Sequence, residues 1–255
     1  MMNVLVCIKR VPATGSRITL TPDEQEIDTR YLNFTFSPHE ECAVEEAVRL
    51  IEAHGGTSVV LTLGPDAATD ILVDAVALGM ERAMLLETEG GDWDPGATAA
   101  AIVEAVRAQQ AAGTAFDLIL MGNEAADTGD YQVGIRLAHA LDLPCVTGVK
   151  ELKIDNGRAV ARREVKGGWE VFETTLPAVI TVKEGINLPR YPSLRGRLTA
   201  KKKPIERMKP QRAHGGLEKV RFKVPPEQTS VAEVLGKGAE AAPIAVDLLQ
   251  RLGVL

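Results

Sequence analysis

The residues best suited to hold a ligand lie in one stretch, residues 117–134, which reads DLILMGNEAADTGDYQVG. Residues 118–121 are a continuous apolar run, typical of a strand buried in a parallel sheet. Residues 122–130 are small and polar, with glycine near both ends, and helical spacing of apolar residues begins after Tyr131. A strand, a glycine-rich turn and a helix in this order place backbone N–H groups around a phosphate. The stretch therefore predicts either a nucleotide site or an ordinary strand-to-helix connection, which has similar turn chemistry.

Two adjacent cations, Lys9 and Arg10, follow a first apolar strand at residues 4–8. The carboxyl ends of the strands are the ligand-binding edge of an open α/β sheet. This position favours a phosphate or cofactor role for the two cations over a solvated loop. A helix start follows at residues 37–40 (SPHE), with a serine cap, a proline in the first turn and an acid three residues after the serine. On its pattern alone, His39 is a partly exposed residue of that first turn.

The sequence lacks the patterns of familiar catalytic and metal sites. It contains no Walker A sequence, no G-x-S-x-G elbow and no G-x-G-x-x-G after the first strand. The three cysteines, Cys7, Cys42 and Cys145, are scattered, as are the four histidines, and none has metal-site spacing. We therefore predict no metal ion and no catalytic residue, and a protein that holds a cofactor rather than one that performs acid/base chemistry.

The elements that must position these residues follow from the hydrophobic pattern. Over residues 4–146, apolar strand runs alternate with helical patterns, which predicts an α/β fold with a parallel sheet. Residues 149–154, 159–165 and 169–175 then alternate apolar and polar and are joined by Asn-Gly and Gly-Gly turn signals. They predict a three-stranded antiparallel meander, either an insertion or an extension of the sheet edge, before a buried strand at residues 177–182.

Residues 190–212 contain nine basic residues and one acid, Glu206, in a chain whose net charge is −6. This asymmetry fits either a solvated basic segment or the electrostatic steering of an acidic partner. Leu194 and Leu198 stand four residues apart on a predicted short helix within this polar setting. Exposed apolar side chains of this kind carry interface energy when a partner buries them.

Length and composition exclude several classes of protein. With 255 residues, 45% hydrophobic and 25% charged, the chain has the make-up of a globular protein of one large domain or one domain plus a smaller unit. Its negative charge argues against general nucleic-acid binding, and no run approaches the ~20 apolar residues of a membrane span. Residues 2–9 are a strand pattern rather than a signal peptide. Towards the end, a short helix is predicted at residues 230–235 and an amphipathic one at 242–252.

Several pieces of sequence together match one known family. They are VLVCIKRV at 4–11, AVEEAVRL at 43–50, the loop at 122–134, LPAVITV at 176–182, and LPRYPSL at 188–194 followed by AKKKPI at 200–205. The last pair, at that spacing, is the most specific. Over essentially its full length, the chain resembles the β subunit of electron transfer flavoprotein.

The resemblance implies a Rossmann-like α/β fold of the adenine-nucleotide α-hydrolase type, with helices on both faces of a parallel sheet, a meander extension and a C-terminal arm. It implies a heterodimer with an α subunit that carries most of the redox FAD, while this chain buries AMP. Electrons would come from acyl-CoA or related flavin dehydrogenases and pass to an electron transfer flavoprotein–quinone oxidoreductase or another acceptor. The chain would be an electron carrier without substrate chemistry of its own, in the cytoplasm of a bacterium or archaeon or in a mitochondrial matrix.

The resemblance also implies a division of the chain. Residues 1–212 would form the nucleotide-binding domain, with the meander at 147–176 and a partner recognition loop at 188–204. Residues 213–255 would form an arm that packs on the α subunit.

Site residues carry over by position. Thr14 would approach the flavin ring, and Leu194 would anchor in a pocket on the dehydrogenase. The implied cofactor-binding residues are Cys7, Lys9, Thr14, Ser37, Pro38, His39, Glu40, Leu63, Gly122, Asn123, Asp127, Thr128, Gly129, Asp130, Tyr131, Gln132 and Val133. The implied partner-binding residues are Tyr191, Leu194, Arg195, Arg197, Leu198, Lys201, Lys202 and Lys203.

Two departures from the family pattern leave alternatives open. The helix opens with Ser37-Pro38 where the family usually has Asn-Pro, and residues 131–134 read YQVG where the AMP-binding branch has NQTG more often. The Gln-Val-Gly form resembles the nitrogen-fixation and electron-bifurcating branch, in which a second FAD can replace AMP. A universal-stress-type ATP- or AMP-binding module would not need the 190–203 segment, and an enzyme that hydrolyses a nucleotide α-phosphate would need a Ser-Gly-Gly loop that is missing here.

Overall fold

The computed structural model describes residues 1–213, 215–226 and 233–255. The chain forms two compact units, Met1–Arg221 and Phe222–Leu255. The first unit thus extends beyond residue 212, the boundary that the resemblance implied. Side chains near its end account for this, since Lys219 Nζ lies 2.9 Å from Glu26 Oε1 and Arg221 Nη1 lies 3.2 Å from Glu24 Oε2.

The described residues contain these strands and helices in chain order. The strands are β1 (Met2–Cys7), β2 (Val11–Pro12), β3 (Phe34–Thr35), β4 (Gly56–Gly64), β5 (Arg82–Glu87), β6 (Leu118–Gly122), β7 (Cys145–Val149), β8 (Glu151–Asp155), β9 (Arg158–Val165), β10 (Gly168–Thr175), β11 (Ala178–Val182) and β12 (Ile205–Met208). The α-helices are α1 (Pro38–His54), α2 (Thr69–Leu78), α3 (Pro95–Ala111), α4 (Val133–Leu141), α5 (Leu194–Ala200) and α6 (Ala242–Arg251).

Seven strands form one parallel sheet in the order β12, β5, β4, β1, β6, β11, β7. Helices α1 and α2 pack on one face in a first apolar cluster, and α3 and α4 pack on the other face in a second. The predicted α/β fold with helices on both faces is therefore confirmed. The chain leaves β1 towards β4 on one side and returns to β6 on the other, so the topological switch point lies beside β1.

Helix α1 begins where the sequence pattern predicted. Ser37 caps it, and its backbone N–H donates to Glu40 Oε2 at 2.8 Å, which is half of a capping box. The helix then buries a face that includes Ala43, Val44 and Ala47, all 0% exposed. This face fixes the first turn of α1 against the carboxyl ends of the central strands.

The meander is a separate three-stranded sheet in the order β10, β9, β8. Its inner residues Ala159 and Ala161 belong to the first apolar cluster. The sequence pattern was wrong about its start, because it assigned Val149 to the first meander strand. Val149 instead ends β7, which pairs with β11 in the main sheet, and the meander begins at Glu151 after Lys150 alone.

Residues 188–204, which the resemblance assigns to partner recognition and which are hereafter called the docking segment, connect the sheet to its far edge. The predicted short helix is α5, and α5 lies against α2 (Thr69–Leu78) where Gly196 approaches the Ala77 carbonyl. Strand β12 follows it and pairs with β5, with Arg82 Nη2 only 2.6 Å from Glu206 Oε1. The sequence pattern gave no sign of β12.

In the second unit, the predicted amphipathic helix is present as α6, which carries exposed Ile244, Val246 and Leu249. The helix predicted at residues 230–235 lies in part outside the described residues, and residues 233–235 are not helical. Among the described residues, no helix is long and apolar enough to span a membrane.

Candidate functional site

A pocket opens at the carboxyl ends of β1, β4 and β6, at the switch point of the sheet. Its empty volume is about 840 Å³, including the part that is open to solvent. The lining residues are Cys7, Ile8, Lys9, Glu40, Leu61, Leu63, Trp93, Pro95, Thr98, Ile102, Met121, Gly122, Asn123, Glu124, Ala125, Thr128, Asp130, Tyr131, Gln132, Val133, Gly134 and Thr181.

A buried carboxyl group, that of Glu40, joins α1 to the end of β1. Its Oε1 accepts the Lys9 backbone N–H at 2.9 Å, and its Oε2 accepts the Ser37 backbone N–H at 2.8 Å. Burial raises the pKa of Glu40 to about 8, although both hydrogen bonds favour the ionised form. Burial, together with the charge of Glu40, also raises the pKa of the neighbouring Cys7 to about 12, so Cys7 is a neutral thiol.

Gly122 ends β6 at the closest approach of the loop to α1. A Cβ on Gly122 would lie 2.7 Å from Glu40 Cγ and 3.1 Å from the Glu40 backbone nitrogen. Only glycine therefore allows the loop to leave the sheet at this point without displacing Glu40.

One side chain from just after β1 and one from β11 hold the loop that follows β6. Lys9 Nζ lies 2.6 Å from Asp127 Oδ2, and Thr181 donates through its hydroxyl to Asn123 Oδ1 at 2.8 Å. The Asn123 backbone N–H donates to the Val182 carbonyl at 2.9 Å. The loop then enters α4, whose first residues line the pocket, so the positive end of the helix dipole faces the pocket.

The pocket has a polar side and an apolar side. The loop and the start of α4 form the polar side, while Leu61, Leu63, Met121 and Ile102 contribute aliphatic surface together with the half-buried ring of Trp93. An apolar wall suits a planar base, and backbone N–H groups at a helix start suit a phosphate. The arrangement can hold a nucleotide.

The ionisable side chains of the lining are mostly acids. Among its described residues, Lys9 is the one base, against Glu40, Glu124 and Asp130. Lys9 is already paired with Asp127. A bound phosphate would therefore rely on backbone N–H groups and on the start of α4 more than on cationic side chains.

The structure brings most of the expected cofactor residues together. Those lining the pocket are Cys7, Lys9, Glu40, Leu63, Gly122, Asn123, Thr128, Asp130, Tyr131, Gln132 and Val133. Ser37, Asp127 and Gly129 support the lining from behind: the Ser37 hydroxyl donates to the Glu124 carbonyl at 3.3 Å, and the Gly129 N–H donates to the Ala125 carbonyl at 2.9 Å.

Besides Ser37, Asp127 and Gly129, three more of the expected residues do not line the pocket. Pro38 and His39 lie in the first turn of α1, and Thr14 lies in the turn after β2. His39 is half-buried, and burial lowers the pKa of its imidazole, which favours the neutral ring.

Sequence reasoning missed several lining residues. Trp93 and Ile102 come from the start of α3 and its buried face, far from any recognisable motif. Trp93 had one signal, because it is one of two tryptophans and directly precedes the Asp94 cap of α3, whose Oδ1 accepts from the Gly96 N–H at 2.8 Å. Thr181 had none, since it sits in the middle of a buried strand.

The expected partner-binding residues form a surface separate from the pocket. Tyr191, Leu194 and Leu198 are 95%, 77% and 60% exposed. Arg195, Arg197, Lys201 and Lys202 are exposed beside them. Lys203 differs, because its Nζ donates to the Glu81 carbonyl at 2.9 Å and so holds the end of the docking segment to the body of the first unit.

The described residues contain no group of three or more His, Cys, Asp or Glu side chains that could hold a metal ion. Cys7, Cys42 and Cys145 are all free cysteines.

Comparison with known proteins gives a consistent result. Residues 26–213 match the model of the electron transfer flavoprotein domain family. The chain is 36% identical to the electron transfer flavoprotein subunit beta of Bacillus subtilis, over 98% of both chains. It is 35% identical to the subunit of the same name in Syntrophomonas wolfei, over 90% of this chain and 88% of that one.

A relative from a larger assembly also matches. The chain is 34% identical to subunit CarD of the caffeyl-CoA reductase-Etf complex of Acetobacterium woodii, over 80% of this chain and 77% of that protein.

Proposed function

The chain belongs to the electron transfer flavoprotein β-subunit family, and from that membership we propose that it is one subunit of a heterodimeric electron carrier. Its α-subunit partner would hold most of the FAD, which supplies the redox chemistry when bound. This chain would bury an AMP molecule, cover part of the flavin and present the surface that receives dehydrogenases. Acyl-CoA or related flavin dehydrogenases would reduce the carrier, and a quinone oxidoreductase or another acceptor would oxidise it.

The observation that carries the proposal is the pocket at the switch point of the sheet. It combines an apolar wall, a backbone-rich loop and the start of α4, which are the three features that a nucleotide requires. The N–H groups and the helix dipole would stabilise a phosphate by about 0.3–1 kcal/mol each.

In this proposal, different residues of the chain would bind the phosphate, the base and the flavin. The loop from Gly122 to Val133 would bind the phosphate, Lys9 would hold the loop closed through Asp127, and Glu40 would fix the end of β1. Leu63 and Trp93 would contact the base. Thr14, which lies outside the pocket lining, would approach the flavin of the α subunit.

A second FAD in place of AMP is the alternative occupant. Two observations favour keeping it: the Gln132-Val133-Gly134 ending of the loop, and the similarity to a subunit of a caffeyl-CoA reductase-Etf complex. In that case the chain would belong to a bifurcating oxidoreductase complex.

Co-expression with the neighbouring subunit gene and extraction of bound nucleotides tests the proposal. We expect a yellow heterodimer that releases one FAD and one AMP. Two FAD per heterodimer would favour the bifurcating alternative. A colourless monomer that binds ATP would contradict the carrier proposal and support a regulatory nucleotide-binding module.

The docking role of the exposed leucines is tested separately. Leu194→Ala should raise the KM of the heterodimer for an acyl-CoA dehydrogenase by roughly tenfold, a typical effect for an interface anchor. Flavin and AMP content should not change. Val171→Ala, at an exposed position on the meander, is the matched control. Loss of flavin in Leu194→Ala would contradict the anchor role.

A further inference from the structure

The apolar side chains at the start of the docking segment and of α5 are highly exposed. Leu188, Tyr191 and Leu194 are 90%, 95% and 77% exposed. An exposed loop of this kind ordinarily samples many conformations. Something at its base must restrict it if the same side chains are to enter a partner's pocket in one orientation.

Arg190 provides such a restriction, because its guanidinium group spans two carboxylates of α1. Its Nε and Nη2 lie 2.9 Å and 3.0 Å from the two oxygens of Glu45. Its Nη1 and Nη2 lie 2.7 Å and 3.0 Å from the two oxygens of Glu52. The backbone N–H of Arg190 also donates to Glu45 Oε2 at 3.1 Å.

The spacing of Glu45 and Glu52 along α1 allows both carboxylates to reach one guanidinium group. Glu45 and Glu52 are seven residues apart, which is two turns of α1 and the same helix face. The Glu45 side chain is 8% exposed, so an uncompensated charge there would be costly. A planar guanidinium can bridge both carboxylates in forked geometry, which a lysine ammonium cannot do.

A second contact holds the segment just before Arg190. Asn187 Nδ2 donates to the Cys42 carbonyl at 3.0 Å and to Glu46 Oε2 at 2.9 Å. The chain is thus fixed to α1 on both sides of Leu188, and Tyr191 follows directly after the second attachment.

We propose that Arg190 is a positioning residue for partner docking, which acts by clamping the docking segment to Glu45 and Glu52 of α1. The clamp orders Tyr191 and Leu194 before the dehydrogenase arrives, so that less conformational freedom is lost on binding. This inference rests on the proposed docking role of the segment. The competing interpretation is an ion pair that stabilises the fold and has no effect on docking.

The experiment compares Arg190→Met and Glu45→Gln heterodimers with the wild type. Both variants should raise the KM for an acyl-CoA dehydrogenase that reduces the wild type, by roughly tenfold, while kcat and the content of FAD and AMP stay unchanged. Hydrogen exchange of residues 188–194 should become faster in both variants without any partner present.

Glu45→Gln separates clamping from charge. Arg190→Met removes a positive charge from a basic segment and could weaken the attraction of an acidic partner. Glu45→Gln makes the same region more positive, so a pure charge effect would leave KM unchanged or lower it. Arg207→Met is the matched control, because Arg207 also lies near two carboxylates, Asp66 at 2.6 Å and Glu87 at 3.4 Å, outside the docking segment.

The results for the three variants distinguish the positioning role of Arg190 from the docking role of the segment. If Leu194→Ala raises KM but neither Arg190→Met nor Glu45→Gln changes KM or exchange, the clamp is only structural and the inference is overturned. If Arg190→Met alone raises KM, charge is the cause and the inference is again overturned. If Leu194→Ala leaves KM unchanged, the docking role itself fails, and the positioning role of Arg190 fails with it.

Discussion

At the scale of single residues, Glu40 connects the chemistry of the pocket to its structure. It accepts the backbone N–H groups of Lys9, just after β1, and of Ser37, the cap of α1, while it lines the pocket. Its pKa of about 8 lies near the working pH of most cells, so small changes in pH alter the charge that a bound nucleotide meets.

The ionisation of Glu40 sets the direction in which AMP affinity should change with pH. Below its pKa of about 8 the carboxyl group is neutral, and above it a negative charge lies in the pocket that would hold the anionic phosphate. AMP affinity should therefore fall between pH 7 and pH 9, by about 1–2 kcal/mol at an effective dielectric constant of about 20. Titration calorimetry of the nucleotide-depleted heterodimer at both pH values measures this change in AMP affinity.

Two controls isolate Glu40. Adenosine, which carries no phosphate, should bind with an affinity that does not change over the same pH range. Glu40→Gln should remove the pH dependence of AMP binding, although one backbone N–H loses its acceptor and stability drops by about 1–3 kcal/mol. An AMP affinity that is flat in the wild type would contradict the assignment.

Gly122 makes a second prediction at this scale. In Gly122→Ala, the new Cβ would lie 2.7 Å from Glu40 Cγ, and Glu40 would have to shift away from its N–H partners. We expect a destabilisation of about 1–3 kcal/mol from overpacking and a heterodimer with less bound nucleotide. Thermal denaturation and nucleotide extraction measure both effects.

Gly168→Ala is the matched control for Gly122→Ala. Gly168 also lies in a strand, but a Cβ there meets nothing within 4 Å. It should keep the wild-type stability and nucleotide content. Equal behaviour of the two variants would show that the close approach at Gly122 is not limiting.

At the scale of elements, α5 depends on one close approach to α2. A Cβ on Gly196 would lie 2.8 Å from the Ala77 carbonyl oxygen, and Ala200, one turn later, is 3% exposed. The small side chains face α2, which leaves Leu194 and Leu198 on the exposed side of the helix. The orientation of the docking leucines is thus decided by the residues between them.

Gly196→Ala should therefore move α5 away from α2 and displace Leu194. We expect a higher KM for an acyl-CoA dehydrogenase with unchanged FAD content, and a stability loss of about 1–3 kcal/mol. Thr199→Ala, at an exposed position of the same helix, should change neither quantity. A variant that loses stability but keeps its KM would show that docking tolerates movement of α5.

The elements that sequence reasoning found are those whose signals are local. The start of α1 is encoded by Ser37 and Glu40 within one turn, and the loop at 122–134 carries its own glycine and polar pattern. Strand β12 was missed because Ile205–Met208 is short, lies in a basic run and becomes a strand by pairing with β5. The boundary between β7 and β8 was missed because Lys150 alone separates them and carries no turn signal.

In the pocket, too, the residues with local sequence signals were the ones that could be predicted. Its polar side comes from one contiguous stretch and could be predicted, whereas Trp93 and Thr181 reach it only through the packing of α3 and β11 against β6. The exposure of Leu194 could be predicted from its polar surroundings. The attachment of Arg190 to Glu45 could not, because the two residues are 145 apart in sequence.

At the scale of the whole molecule, the pocket is where elements from both faces of the sheet meet. Helix α1 belongs to the first apolar cluster, while α3 and α4 belong to the second, and all three contribute lining residues. The two clusters lie on opposite faces of the sheet. A nucleotide in the pocket would therefore contact elements that the sheet otherwise separates, and its binding would stabilise the first unit as a whole.

This arrangement predicts that removal of the nucleotide destabilises the protein even if the flavin remains. A ligand at about 100 times its Kd stabilises the native state by about 2.7 kcal/mol. For a domain of this size, each kcal/mol corresponds to roughly 2–4 °C in Tm, so AMP should raise the Tm of the depleted heterodimer by about 5–10 °C. Differential scanning calorimetry with increasing AMP measures the shift, and Gly122→Ala should show a smaller one. An AMP-depleted heterodimer that unfolds at the wild-type temperature, and whose Tm does not respond to AMP, would mean that the pocket between α1, α3 and α4 holds something else.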